Sequence, residues 1–273
     1  MKSYWINGVL LGSLAIAMTV YEATNGGKGI GTFFHIEGLI LVFGGTLTTV
    51  FTVYPLKLAI ATFKNAMTVI GKQSQTAQET ASEIIKFAME TDGDLRVMEA
   101  SIGNINNVFF REGIQMIIDR LDSEHLEFIL KERVKQNKKD YDQVLLAIKG
   151  LAKYPPAFGM VGTLAGLVAM MKGLGSSVGA GSLGSAMAIG LTATFYGVAF
   201  ANLLILPLAD NIQYKNDIDI LNFKIALKGV TLLKEKTSPL LIQECLNSML
   251  NASQRVDLLG VGNMTQQQSQ KAA

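Results

Sequence analysis

The chain has 273 residues, of which 49% are hydrophobic and only 17% are charged, against about a quarter in a typical soluble domain. This deficit predicts a membrane protein, and a formal net charge of +2 gives no indication of nucleic-acid binding. The one cysteine, Cys245, excludes an internal disulfide, and His35 and His125 lack the spacing of a metal site. No nucleophile elbow, P-loop or dinucleotide fingerprint occurs, so we expect neither an enzyme nor a bound cofactor.

Four apolar stretches are predicted to span a membrane as helices, each of which needs roughly 20 mostly apolar residues. They run from about Tyr4 to Tyr21, Phe33 to Tyr54, Tyr154 to Met171 and Ser185 to Leu208. The first stretch is followed by Glu22 where a cleavage site would need a small residue, so it is interpreted as a retained span and not as a signal peptide.

Basic residues predict the orientation of these spans. The links 22–32 and 173–184 contain one basic residue, Lys28, whereas 57–153 and the tail after Asp210 are rich in Lys and Arg. The positive-inside rule therefore places both long segments, and both termini, in the cytoplasm. The predicted fold is an all-α membrane protein with four transmembrane helices, a helical cytoplasmic insert between the second and third, and cytoplasmic C-terminal helices. The predicted segments are 1–55, 56–153, 154–209 and 210–273.

The cytoplasmic segments show helical periodicity. In the insert, one apolar pattern contains Ile84, Ile85 and Phe87, and a break follows at Asp92-Gly93-Asp94. Further helices are predicted over Phe109 to Leu121, after a cap at Asp122 or Ser123, over Asp210 to Lys236, and after Ser238-Pro239. The Gln-rich end, 265–273, is expected to be disordered.

The apolar spans contain hydroxyl groups but no carboxylate at mid-depth. An intramembrane carboxylate is the usual mark of an ion relay, so either the chain conducts nothing or a partner supplies the acid. Thr163 lies in the middle of the third stretch, and Thr192 and Thr194 lie in the middle of the fourth, among glycines that allow helices to approach closely. These hydroxyls are candidates to line an ion path, and the alternative is that each bonds to a carbonyl of its own helix.

Two prolines occupy matching ends of the third and fourth stretches. Pro156 and Pro207 each lack a backbone N–H and therefore leave a carbonyl free and permit a kink. The alternative is that Pro156 marks a helix start and Pro207 a helix boundary.

The sequence resembles the MotA/PomA family of flagellar stators at three places. The run from Pro156 to Met170 resembles the third span of the family, and the run from Ala186 to Gly197, with Ala201-Asn-Leu and Leu206-Pro-Leu-Ala-Asp210, resembles the fourth. Gly44-Gly45-Thr46-Leu47, ahead of Tyr54-Pro55-Leu56, resembles the second. The resemblance extends over nearly the whole chain to about Asn251.

The resemblance implies a function and an assembly. Such subunits form a ring of five around a dimer of a single-span partner, MotB or PomB, which supplies the aspartate for H+ or Na+ and anchors to peptidoglycan in the bacterial inner membrane. Ion flow turns the ring, and the cytoplasmic insert pushes on the flagellar rotor. Pro156 and Pro207 match the family's functional prolines, and Thr163 and Thr194 match hydroxyls of the ion path in sodium-type members. Thr163 therefore favours Na+ over H+.

One stretch departs from the family. The family's cytoplasmic helix carries an Arg and a Glu that contact the rotor, and here the corresponding stretch runs from Ala88 to Glu99. Glu99 matches the glutamate, but no Arg stands at the expected place, so Arg96 or Lys86 is the candidate substitute. Two alternatives remain open at this point: an energiser of the TolQ/ExbB type, which usually has three spans, and a membrane scaffold that conducts nothing.

Overall fold

The computed structural model describes residues 2–24, 30–53, 75–174 and 180–260. Helices and short turns make up this part of the chain, and no strand occurs in it. The described residues divide into two compact units, each built from two stretches: those within 1–72 with those within 141–214, and those within 73–140 with those within 215–273.

The α-helices follow one another closely in sequence. In chain order they are α1 (Lys2–Ala23), α2 (Ile36–Val53), α3 (Ala77–Thr91), α4 (Leu95–Ser101), α5 (Val108–Ile118), α6 (Ser123–Leu151), α7 (Tyr154–Leu174), α8 (Ala180–Phe200), α9 (Leu206–Lys234) and α10 (Pro239–Asn247). Wider π-helical turns occupy Ile40–Gly44 within α2 and Ala201–Ile205 between α8 and α9. Short 3-10 turns lie at Ile30–Phe33, Ile102–Asn104 and Ala252–Gln254.

Three helical stretches are long and apolar enough to cross a membrane: Ile36–Val53, Ser123–Leu174 and Leu183–Lys234. The first of these lies within the predicted second span, and the other two contain the predicted third and fourth spans. The apolar part of α1, Gly8–Ala23, is shorter than these three, so the first predicted span stays a prediction. Pro55, the hinge 25–29, the middle of the 173–184 link and the 265–273 tail lie outside the described residues.

Glycines bring α7 and α8 into close contact in the first unit. A Cβ added to Gly159 would lie 2.8 Å from Thr194 Cα, and one added to Gly190 would lie 2.9 Å from both Gly162 O and Thr163 Cα. Only hydrogen fits in these places, because real Cβ atoms do not approach backbone atoms so closely. Small residues at a helix interface allow this kind of approach, and here they position the hydroxyls between the two helices.

The second unit has a separate apolar core. Its largest fully buried side chains include Phe110, Ile84 and Leu126, and Phe87 meets Phe110 edge to face at a centroid separation of 5.5 Å. The predicted helical patterns of this segment are therefore confirmed as faces of α3, α5 and α6 that turn into the core.

The sequence predicted two helix termini in this unit, the end of α3 and the start of α10. Asp92 ends α3 in the left-handed conformation with φ of 40°, and Gly93 follows with φ of 76°, so the predicted break at this turn is confirmed. Ser238 is the N-cap of α10, with Pro239 in the first turn as predicted, but its side chain makes no capping hydrogen bond. The backbone conformation and the proline therefore start this helix without the side-chain bond that is usual for serine.

Buried amides fix the segment that follows α10. The Gln243 side chain accepts hydrogen bonds from Leu258 N–H at 3.0 Å and Leu259 N–H at 3.3 Å. The Asn247 side chain both donates to and accepts from the backbone of Val256, at 2.9 and 2.8 Å. The chain as far as residue 259 is therefore held against α10 by hydrogen bonds, and Val256 reaches the core of this unit.

Candidate functional site

The hydroxyls of Thr163 and Thr194 meet between α7 and α8. Their Oγ1 atoms are hydrogen-bonded to each other. Thr194 Oγ1 also lies 2.8 Å from Gly159 O on the opposite helix, and Thr163 Oγ1 lies 3.2 Å from Gly190 O across the same interface. Two hydroxyl and two carbonyl oxygens therefore converge within one helical turn of each helix.

This cluster depends on residues that are neighbours in space and not in sequence. Gly159 and Thr163 are four residues apart on α7, as are Gly190 and Thr194 on α8, so each threonine also faces a carbonyl of its own helix, at 3.2 and 3.4 Å. Two hydroxyl hydrogens serve more than two acceptors here, so some lone pairs remain available. Such a set of hard oxygen atoms can solvate a hydrated cation, Na+ or a protonated water.

Thr192 does not join the cluster. Its side chain is buried, and its hydroxyl donates within α8, to Ala188 O at 2.9 Å and Ile189 O at 3.1 Å. This is the own-helix arrangement that the sequence left open for every membrane threonine. A role for Thr192 in an ion path stays a prediction, and the geometry of Thr163 and Thr194 differs from it.

Pro156 lies in the first turn of α7, directly after Pro155. A proline there costs no helical hydrogen bond, since the first N–H groups of a helix have no intrahelical acceptor. Gly197 of α8 packs against this turn, and a Cβ at Gly197 would lie 3.2 Å from Pro156 Cα and in clash with the Pro155 carbonyl. Pro156 is thus both a helix start and a contact of the α7–α8 interface.

Pro207 lies at the second position of α9, directly after the π-helical turn Ala201–Ile205. Its missing N–H would leave the carbonyl four residues earlier, at Leu203, without a donor, and its ring would press on that carbonyl. A π-helical turn widens the backbone at this point and is frequent at functional sites. A cavity of about 440 Å³ lies beside Pro207, and its polar lining comes from Asn202, Asp210 and Asn211.

The three candidate rotor contacts are all exposed and lie on two helices of the second unit. Arg96 and Glu99 are on the short helix α4, whose N-cap, Asp94, accepts a hydrogen bond from Arg96 N–H at 2.9 Å. Lys86 is on α3 and lines a cavity of about 620 Å³ together with three glutamates, Glu79, Glu83 and Glu90. Arg96 is therefore the cation on the same helix as Glu99, whereas the Lys86 ammonium lies among carboxylates.

Sequence reasoning missed Tyr196 and the two π-helical turns. The Tyr196 hydroxyl bonds to the backbone of Phe33 and His35, which are more than 160 residues away in the chain. Tyr196 lies inside the run that resembles the family's fourth span, but no spacing rule pairs it with residues near the start of α2. Pro207 was a partial sequence signal of the π-helical turn before it, because a proline lacks a backbone N–H and permits a local change of the helix.

A family model matches residues 101–225, and the family is described as the MotA/TolQ/ExbB proton channel family. The matched region contains both threonines of the oxygen cluster and both prolines, whereas Lys86, Arg96 and Glu99 precede it. This description names a family of channels, which agrees with the expectation that the chain is not an enzyme.

Curated relatives match nearly the full length of the chain. Motility protein A of Treponema pallidum (strain Nichols) is 26% identical over 243 residues, which cover 89% of this chain and 92% of the relative. Chemotaxis protein PomA of Vibrio alginolyticus is 27% identical over 252 residues, which cover 90% and 96%.

Solved structures share the fold. The C. jejuni MotAB structure has a TM-score of 0.82 at 19% identity and covers 95% of this chain and 100% of its own. The flagellar MotAB stator complex from Bacillus subtilis has a TM-score of 0.80 at 20% identity, with coverage of 93% and 98%. These matches agree with the family model and with the resemblance of the third and fourth spans, and over residues 101–225 the chain is similar to the MotA/TolQ/ExbB proton channel family.

Proposed function

We propose that the chain is the ion-conducting and torque-generating stator subunit of a bacterial flagellar motor. It lies in the inner membrane and couples the flow of H+ or Na+ to flagellar rotation. One elementary charge that crosses the membrane releases about 2.3 kcal/mol per 100 mV of potential. This energy is sufficient to move a ring of subunits in steps, provided that the ion path is coupled to the helices that line it.

The observation that carries this proposal is the oxygen cluster of Thr163 and Thr194. It lies between α7 and α8, which have no Asp, Glu, Lys or Arg between Tyr154 and Met171 or between Ala180 and Phe200. A path lined by hydroxyls and carbonyls, without a carboxylate of its own, fits an ion-binding acid that comes from another chain. The names of the relatives, Motility protein A and PomA, support the same function.

The proposed assembly follows the resemblance. The chain has four transmembrane helices, with both termini and the insert in the cytoplasm. In this arrangement α1 and α2 lie beside the path formed by α7 and α8. Five copies surround a dimer of a single-span, peptidoglycan-binding partner of the MotB/PomB type. The solved structures that share the fold are of MotAB, which supports such a partner. The transported ion is H+ or Na+, with Thr163 in favour of Na+.

A copurification experiment tests the proposal. The tagged full-length chain is purified from its native membrane in mild detergent, and the bound proteins are identified by mass spectrometry. We expect a single-span protein with an aspartate in its span and a peptidoglycan-binding domain. A partner with a long periplasmic arm and no wall-binding domain would instead assign the chain to the TolQ/ExbB energisers, and recovery without any membrane partner would favour a non-conducting scaffold.

Glu99 and Arg96 are the proposed contacts with the rotor. We expect Glu99→Lys to reduce the number of stator units engaged per motor by about tenfold or more. The proposed rotor partner of the Glu99 carboxylate is a basic group, and a lysine facing it brings like charges together across the interface, which costs several kcal/mol. Stepwise speed changes in a tethered-bead assay measure that number. Glu124→Lys is the matched control, because Glu124 is also exposed but lies at the start of α6. If wild type, Glu99→Lys and Glu124→Lys engage equal numbers of stator units, α4 does not contact the rotor.

A further inference from the structure

We propose that Tyr196 is a positioning residue of the ion path. Its phenolic oxygen holds the N-terminal end of α2, here called the α2 entrance, against α8. The inference rests on the proposed stator function and adds a residue to the same site. It differs from the threonine cluster because Tyr196 acts on the backbone of the segment Phe33–His35 and touches no ion.

The geometry is that of a two-sided tether. Tyr196 Oη donates a hydrogen bond to Phe33 O and accepts one from His35 N–H at 3.2 Å. A phenol carries one hydrogen and free lone pairs, so it can make both bonds at once. One side chain of α8 thus fixes two backbone groups on either side of Phe34.

Among the described residues, Phe33 O and His35 N–H have no hydrogen-bond partner besides Tyr196. Phe33 is the last residue of the 3-10 turn Ile30–Phe33, and His35 is the N-cap of α2 and makes no side-chain capping bond. Unpaired backbone groups at helix ends are tolerated in water but not in a hydrocarbon environment. The His35 ring gives no help, since its Nε2 is buried without a hydrogen-bond partner in the part of the chain that the structure describes.

Neighbouring positions of α8 reinforce the tether. Gly38 packs on Ala193, where an added Cβ would lie 3.4 Å from three atoms of that residue. The rings of Phe33 and Phe195 meet edge to face at a centroid separation of 6.1 Å. The start of α2 therefore rests on residues 193, 195 and 196, the same helical turn that carries Thr194.

A coupling follows from this placement. Because Thr194 lies between Ala193 and Phe195, any displacement of the α2 entrance moves the turn that presents the Thr194 hydroxyl. Loss of the Tyr196 hydroxyl should loosen the entrance and misplace the oxygen cluster. The expected consequence is weaker ion binding with retained assembly.

Hydrogen–deuterium exchange tests the tether directly. The full-length chain is purified together with its membrane partner, and peptides that cover 33–38 are compared between wild type and Tyr196→Phe. We expect exchange at His35 N–H to become roughly 3- to 10-fold faster, the effect of one ordinary hydrogen bond. Tyr214→Phe, which removes the oxygen of an exposed tyrosine on α9, should leave these peptides unchanged. If wild-type His35 N–H already exchanges at the rate of an open loop, the tether does not exist, whether or not the variant folds.

Ion dependence tests the coupling. Swimming speed is measured against external Na+ at fixed pH and against pH at fixed Na+. For Tyr196→Phe we expect the half-saturating concentration of the driving ion to rise roughly 3- to 10-fold, as for the exchange rate. The maximal speed should stay near that of wild type. A purely structural defect would reduce the maximal speed, through fewer stator units, without a change in the half-saturating concentration.

The outcomes separate the inference from the function on which it rests. Unchanged exchange in Tyr196→Phe, or faster exchange with an unaltered ion dependence, overturns the positioning role. Failure of the wild-type chain to restore ion-dependent rotation to a strain that lacks it overturns the stator function, and the exchange experiment still decides whether Tyr196 holds the α2 entrance.

Discussion

Replacement of Thr194 by valine should reduce motor torque by about tenfold or more while the protein still assembles. Valine keeps the shape of threonine but removes the hydroxyl, which bonds to Thr163 and approaches Gly159 O at 2.8 Å across the helix interface. A buried polar group that loses its partner costs about 1–3 kcal/mol, and each 1.36 kcal/mol on a barrier is roughly a tenfold change in rate. Torque per stator unit in a bead assay measures the effect.

A matched control separates the missing oxygen from the changed residue type. Thr48 also lies on an apolar helix, but it is exposed and its hydroxyl bonds at 2.9 Å to Gly44 O of the same helix. Thr48→Val should therefore leave torque near the wild-type value. Normal torque in both Thr163→Val and Thr194→Val, at normal protein levels, would favour the scaffold interpretation in which the chain conducts nothing.

A methyl group at Gly190 should destabilise the chain by about 1–3 kcal/mol, the range observed for overpacked interiors. The added Cβ would lie 2.9 Å from Gly162 O and from Thr163 Cα, and neither is the flexible end of a side chain. The helices α7 and α8 must then separate, which also pulls the two threonine hydroxyls apart. Thermal unfolding of the purified complex in detergent measures the loss of stability, and motility measures the loss of function.

Gly184 provides the control on the same helix. A Cβ at Gly184 meets no atom within 4 Å, and alanine is favoured over glycine inside a helix by about 1 kcal/mol. Gly184→Ala should therefore leave stability unchanged or slightly raised. If Gly184→Ala and Gly190→Ala unfold at the same temperature, the close approach of α7 and α8 does not depend on Gly190.

The sequence determined the helical class, the three long apolar helices and the resemblance to the stator family. Hydropathy over some 18 residues is a local property, so the stretches that contain the second, third and fourth spans could be located without tertiary information. The runs Pro156–Met170 and Ala186–Gly197 carried the resemblance for the same reason. The break at Asp92-Gly93 was equally local, because a left-handed helix end is set by the residues at that point.

The tertiary structure decided which of the candidate side chains act together. Thr163, Thr192 and Thr194 are alike in sequence as mid-span threonines, but only packing through Gly159 and Gly190 places two of them on opposite sides of one interface. Thr192 lies on another face of α8 and bonds within its own helix. The Tyr196 tether to Phe33 and His35 depends on a contact across more than 160 residues, and no local pattern encodes a contact that forms only when distant helices pack.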